Sequence, residues 1–166
     1  MDAIGCFKFV RDIPYRIPTA INEADYCCLG KHKILHALLT SLELKVRYGA
    51  CVFLWSDLDL PEDVREIPHK AVCVHRYLEA YNQEQNKWIV VDATWDKRLY
   101  PKFKINEWDG KSDTELAVKP VKIYDEIRSQ ELVEIKPEQI IEDLKINGEF
   151  YKAVNKWLET IRLKPD

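Results

Sequence analysis

The sequence has little that would commit it to a membrane, a nucleic acid or a disulfide scaffold. It has no run of about 18 apolar residues, the length a membrane-spanning helix needs. Its start, Met1-Asp2-Ala3-Ile4-Gly5-Cys6, lacks a basic segment followed by an apolar run, so no secretory leader is expected. Lysine and arginine total 25 against 28 aspartates and glutamates, with both signs interspersed. A net charge of −3 without a basic stripe argues against nucleic acid as the main ligand. The cysteines, at positions 6, 27, 28, 51 and 73, are odd in number and form no CxxC and no regular framework. Free thiols in a reducing cytoplasm are therefore expected. No internal repeat, low-complexity tract or Gly/Ser linker divides the chain.

What is present suits one domain over residues 1–166. A chain of this length buries roughly two-thirds of its unfolded surface, and a 46% hydrophobic fraction is ordinary for a globular fold. Five Trp and eight Tyr mostly imply core, with some rings left over to line a groove. Ile4, Phe7 and Val10 predict a short helix ending before Pro14. Pro14 and Pro18 make residues 13–25 irregular. A second helix follows, with Asp25 as cap and Ile34, Leu35, Leu38, Leu39 and Leu42 as its apolar stripe. Val46–Trp55 reads as a strand, and acidic, Pro-punctuated Ser56–Pro68 as a loop. Ala71–Tyr81 and Lys87–Thr94 read as a hairpin, Val118–Tyr124 as a further strand, and about 137–145 and 148–163 as two helices. The expected class is α+β on an antiparallel sheet.

Cys28 falls in the first turn of the second helix, where free N–H groups and the helix dipole stabilise a thiolate. A lone cysteine is more often core, so position does not decide its role. The hairpin adds to it. A four-residue turn, Asn82–Gln85, sets Tyr81 opposite Asn86 and, continued along the strands, His75 opposite Asp92. Cys73, His75, Tyr77, Glu79, Trp88, Val90 and Asp92 then share one face, with Val74, Leu78, Ile89 and Val91 on the other. A His held by a carboxylate is the base that activates a thiol. A surface His–Asp ion pair would show the same pattern.

The segment from Cys28-Leu-Gly-Lys31 through Leu42-Glu-Leu44 to Arg47-Tyr48 resembles the nucleophile helix and following strand of transglutaminase-like proteins. His75-Arg-Tyr77-Leu-Glu79 and Trp88-Ile-Val-Val-Asp92-Ala-Thr94-Trp95 are similar to that family's His and Asp strands, and Phe9–Tyr15 to the helix end before its core. The resemblance covers about residues 7–95. It implies a papain-like core whose nucleophile helix packs on an antiparallel sheet. Cys28 would be the nucleophile, His75 the general base then acid, and Asp92 the group that orients it. It also selects Cys28 over Cys27, because only counting from Cys28 brings Lys31, Leu42, Leu44 and Arg47 into register. Glu43 stands where the family commonly has Gly, and Tyr77 where it has Trp. The last 70 or so residues match none of its motifs.

The Cys28 N–H and the Asn22 side chain are the candidate oxyanion donors. Tyr77, Trp88 and Trp95 are candidates for contact with substrate, although Trp88 suits the core better. His32 and His36 have i, i+4 spacing, but Lys31 and Lys33 would repel a metal, so no metal site is expected. Asp57, Asp59, Glu62 and Asp63 do not have EF-hand spacing. The expected activity is cofactor-free acyl transfer from a peptide, protein or small amide through a Cys28 thioester, with water as acceptor. Transglutaminase cross-linking and acyl-CoA-dependent acetyl transfer would use the same triad. A non-catalytic binding module on the same fold would not need it.

Overall fold

The computed structural model describes residues 1–164. Helix α1 spans Ala3–Arg11, with Asp2 as its N-cap accepting from the Gly5 N–H at 2.7 Å. An irregular segment follows, in which Arg16 and Tyr26 make an antiparallel bridge. Helix α2, Cys28–Ser41, is capped by Cys27 rather than by Asp25. The Asp25 carboxylate instead accepts from the Cys27 N–H at 2.8 Å, one residue ahead of the helix. Beyond α2, Glu43 takes a left-handed conformation with φ 60°, which glycine adopts more readily.

Strand β1 (Val46–Leu54) leads through a 3₁₀ turn at Trp55–Asp57 and the one-turn helix α3 (Glu62–Arg65) to β2 (Val72–Asn82) and β3 (Lys87–Val91). Helix α3 lies inside the stretch expected to be loop. After a long irregular stretch come β4 (Lys122–Ile123), α4 (Glu126–Glu131) and α5 (Pro137–Arg162). The strands form one antiparallel sheet in the order β3-β2-β1-β4. Strand β4 is two residues long, shorter than expected. The last two predicted helices are one helix of 26 residues that runs straight through Gly148. One glycine costs a helix only about 1 kcal/mol, which the surrounding apolar stripe outweighs.

The hairpin register differs from expectation by two residues. Its turn is Gln83–Asn86, and Tyr81 lies opposite Trp88. The Asn82 side chain accepts from the Gln85 N–H at 3.1 Å, and Asn86 adopts φ 52°, a conformation asparagine tolerates. Strand β3 consequently ends at Val91, short of the expected Thr94, and His75 pairs across β1 with Cys51 instead of facing Asp92 in a ladder. A two-residue shift preserves the alternation of the pleat. Leu78, Ala80, Ile89 and Val91 still share a face, packed with Phe7 and Val10 of α1 and Leu35 and Leu39 of α2. The second core gathers Tyr77, Phe53 and Trp55 with Phe150, Val154 and Leu158 of α5.

Candidate active site

Cys28 is the first residue of α2, and its first-turn N–H groups have no intrahelical acceptors. Gly30 permits the tight entry to this helix, since a Cβ there would lie 1.8 Å from the Asp25 carbonyl oxygen. His75, in the middle of β2, is buried and shares one cavity wall with Cys28, and each shifts the pKa of the other. Its Nε2 donates to Asp92 Oδ2 at 2.7 Å, which leaves Nδ1 for Cys28. Asp92 is fully buried just past the end of β3. Its Oδ2 also accepts from the Ala117 N–H at 2.8 Å, and its Oδ1 from the Thr94 hydroxyl and N–H at 2.5 and 3.1 Å. Four hydrogen bonds thus hold the carboxylate ionised and fix its orientation.

These groups shift one another in complementary directions. A hydrogen bond from Cys27 lowers the Cys28 pKa, burial opposes it, and His75 adds to the lowering; the net result lies well below the usual thiol range. Donating that bond, together with burial, pushes Cys27 well up. Burial would lower the His75 pKa, but the Asp92 charge and hydrogen bond, with Cys28, raise it to about 10. Burial acts to raise the Asp92 pKa, and His75 overrides it, holding the carboxyl well below its usual range. Burial raises both Cys51 and Cys73 to about 12. Cys28 is thus shifted toward the thiolate, the nucleophilic form of cysteine, while Cys27, Cys51 and Cys73 are shifted away from it.

Two buried side chains of α2, His32 and Lys31, brace this row. His32 Nε2 accepts from the Ala93 N–H at 3.0 Å, so its proton sits on Nδ1, which donates to the Cys28 carbonyl at 2.6 Å. Burial lowers its pKa, in keeping with a neutral ring. With both ring nitrogens occupied, His32 ties the start of α2 to the backbone after Asp92, while His36 stacks on Tyr48. The Lys31 ammonium donates to the carbonyls of Arg11, Ile13 and Thr94 at 2.9, 2.9 and 2.6 Å. Burial acts to bring its pKa down to about 7, yet three acceptors require all three ammonium hydrogens. The i, i+4 histidines and the neighbouring lysine are visible in the sequence; their partners are not.

Cys28 and His75 open onto a cavity of about 660 Å³, walled by Ile17, Phe53, Trp95 and Tyr151 among others. Trp95 packs between Tyr15 and Phe103, with ring centroids 4.8 and 4.2 Å away, and its Nε1 donates to the Ala117 carbonyl at 3.0 Å. A depression of about 270 Å³ at Trp95, lined also by Asp59, Lys102 and Glu115, includes no cysteine or histidine. Tyr15, which in the sequence only closes the segment resembling a helix end, lines the larger cavity. A buried Arg162–Asp96 ion pair holds its backbone: Asp96 Oδ2 accepts from the Tyr15 N–H at 3.0 Å, and Arg162 donates to the Tyr15 carbonyl at 2.8 Å. Asn155 grips Ile17 in the same way, through 2.9 and 2.8 Å bonds. The distal half of α5 therefore positions the strip that faces Cys28.

The remaining candidates divide. Trp95 reaches the cavity; Asn22, Tyr77 and Trp88 do not line it. Asn22 is exposed in the turn that the Arg16–Tyr26 bridge closes before α2. Tyr77 stacks beneath His75 at 6.0 Å and packs over Gly49, where a Cβ would lie 2.3 Å from its ring. Trp88 packs against Tyr81, with the Arg47 guanidinium 4.1 Å above its ring, and Arg47 in turn bonds Glu79 at 2.5 Å. Among the described residues no helix is long and apolar enough to cross a membrane. Comparisons with protein-family models, with curated proteins and with solved structures find no match for this chain.

Proposed function

We propose that this protein is a thiol enzyme of the transglutaminase-like, papain-like kind, which transfers acyl groups from amides through a Cys28 thioester. The observation that carries the reading is the row from Cys28 through His75 to the four-bonded Asp92, opening on a cavity that a peptide or small amide can enter. In the ground state Cys28 is a thiolate and His75 an imidazolium. Cys28 Sγ attacks the carbonyl carbon and the carbonyl π pair moves onto oxygen. Collapse of the adduct expels the amine, which takes the His75 proton, leaving a thioester and a neutral imidazole. Water, deprotonated by His75, then hydrolyses the thioester and regenerates the thiolate. The Asp92 charge stabilises the imidazolium at both ends of the cycle.

Water is the acceptor in this reading, because the cycle then needs no second substrate. The test is labelling with an amide-mimicking thiol probe, followed by a screen of peptides and amides with wild-type protein and Cys28→Ala. Cys28-dependent release of amine from any member supports the reading. A probe that labels all cysteines uniformly, with no turnover in the screen, sinks it and favours a binding module.

A further inference from the structure

The Tyr15 side chain pairs a largely buried ring with a hydroxyl that no other described residue engages. The residue is only 7% exposed, and its ring is fixed against Trp95. Its backbone is held at both N–H and carbonyl by Asp96 and Arg162. Its hydroxyl makes no hydrogen bond to another described residue and is not among the sealed buried polar atoms, in keeping with a place on the cavity wall that Tyr15 shares with Cys28, the group whose charge acts on it most. A phenol held this firmly beside a thiolate, at the wall of the cavity and without an internal partner, is a donor awaiting an acceptor.

Two other donors of the cavity wall are engaged elsewhere. The Trp95 Nε1 is bonded to Ala117, and Arg76 is tied through Nε and Nη1 to the carbonyls of Leu132 and Val74. Asn22 lies outside the cavity lining. The Cys28 N–H is free by its place in the first turn of α2. We propose that the Tyr15 hydroxyl and the Cys28 N–H together bind the oxyanion that forms when Cys28 attacks an acyl carbonyl. This assignment rests on the acyl-transfer reading above. Burial keeps Tyr15 protonated, so it remains a donor wherever the thiolate exists.

Two electrophiles separate oxyanion binding from thiolate activation. With p-nitrophenyl acetate, Cys28 Sγ bonds to the carbonyl carbon, the π pair moves to oxygen, and its return expels p-nitrophenolate and leaves acetyl-Cys28. Iodoacetamide alkylates the same sulfur by displacing iodide and forms no oxyanion. Tyr15→Phe, which keeps the ring, should slow the nitrophenolate burst by about 10²-fold while leaving alkylation unchanged. Equal bursts in the two proteins overturn the inference alone. An equal fall in both reactions overturns it in favour of a role in thiolate stability. A variant that fails to fold contradicts the unpartnered hydroxyl on which the assignment stands. If wild type gives no Cys28-dependent burst, the acyl-transfer reading falls and takes this one with it.

Discussion

His32 and Cys28, one helical turn apart, are joined by a 2.6 Å hydrogen bond from the imidazole Nδ1 to the cysteine carbonyl. The other ring nitrogen receives the Ala93 N–H, one residue past Asp92. A single neutral side chain thus spans the thiol-bearing helix and the carboxylate-bearing loop. His32→Ala leaves the buried Ala93 N–H without an acceptor and removes a second bond to the Cys28 carbonyl, so urea unfolding should show a loss of roughly 1–3 kcal/mol. It should also weaken Cys28 reactivity at low pH, since the two sides of the row lose their brace. Unchanged stability would remove this role.

The alkylation of Cys28 should be nearly flat in rate from pH 6 to pH 9. The depressed thiol pKa keeps it ionised across that interval, and the His75 pKa near 10 keeps the ring charged. An ordinary thiol would gain on the order of 10²-fold in rate over the same range. Substoichiometric iodoacetamide at pH 6 should label Cys28 ahead of Cys27, Cys51 and Cys73, whose pKa values are raised. Peptide mapping that finds Cys27 first would refute the order.

Asp92→Asn should lower turnover by about 10²–10⁴-fold, less than Cys28→Ala, because the imidazolium loses its counter-charge. A second consequence concerns acid. The folded pKa of Asp92 lies below its unfolded value, so the fold binds fewer protons than the unfolded chain. Its stabilisation is complete above about pH 4 and is lost as pH falls further. Acid unfolding followed by circular dichroism should therefore be steeper for wild type than for Asp92→Asn. Identical acid profiles would show that the charge does not contribute.

Glu43→Gly should stabilise the protein by about 1 kcal/mol. Glu43 holds a left-handed conformation just beyond α2, and glycine adopts it without the clash that a Cβ creates. A higher urea midpoint with an unchanged denaturant slope is the expected outcome. A lower midpoint would mean that the Glu43 side chain contributes more than its backbone costs.

Arg162→Met removes one member of a buried ion pair and should cost about 3–5 kcal/mol, since Asp96 is left charged in the interior. It also removes the donor that holds the Tyr15 carbonyl. Among variants that still fold, acylation should fall further than alkylation. Equal losses would place α5 outside the site.

Local patterning was enough for much of this protein. The apolar stripes of α1 and α2, the strand runs of β1 and β2, and the period-two alternation of the hairpin are short-range signals, and the elements formed where those signals lie. The motif order around Cys28, His75 and Asp92 is likewise written in the chain, and parity alone put His75 and Asp92 on one face. The hairpin register was not legible: it turned on the Asn82 side chain and a left-handed Asn86, so Asp92 reached His75 from beyond the strand end rather than across a ladder. The length of α5 depended on packing that outweighed Gly148. Tyr15 was the furthest from view. Its place beside Cys28 is set by Asp96, Asn155 and Arg162, which lie 81 to 147 positions from the residues they hold. Contacts of that separation leave no periodicity in a sequence, so only the folded chain could decide which phenol faces the thiol.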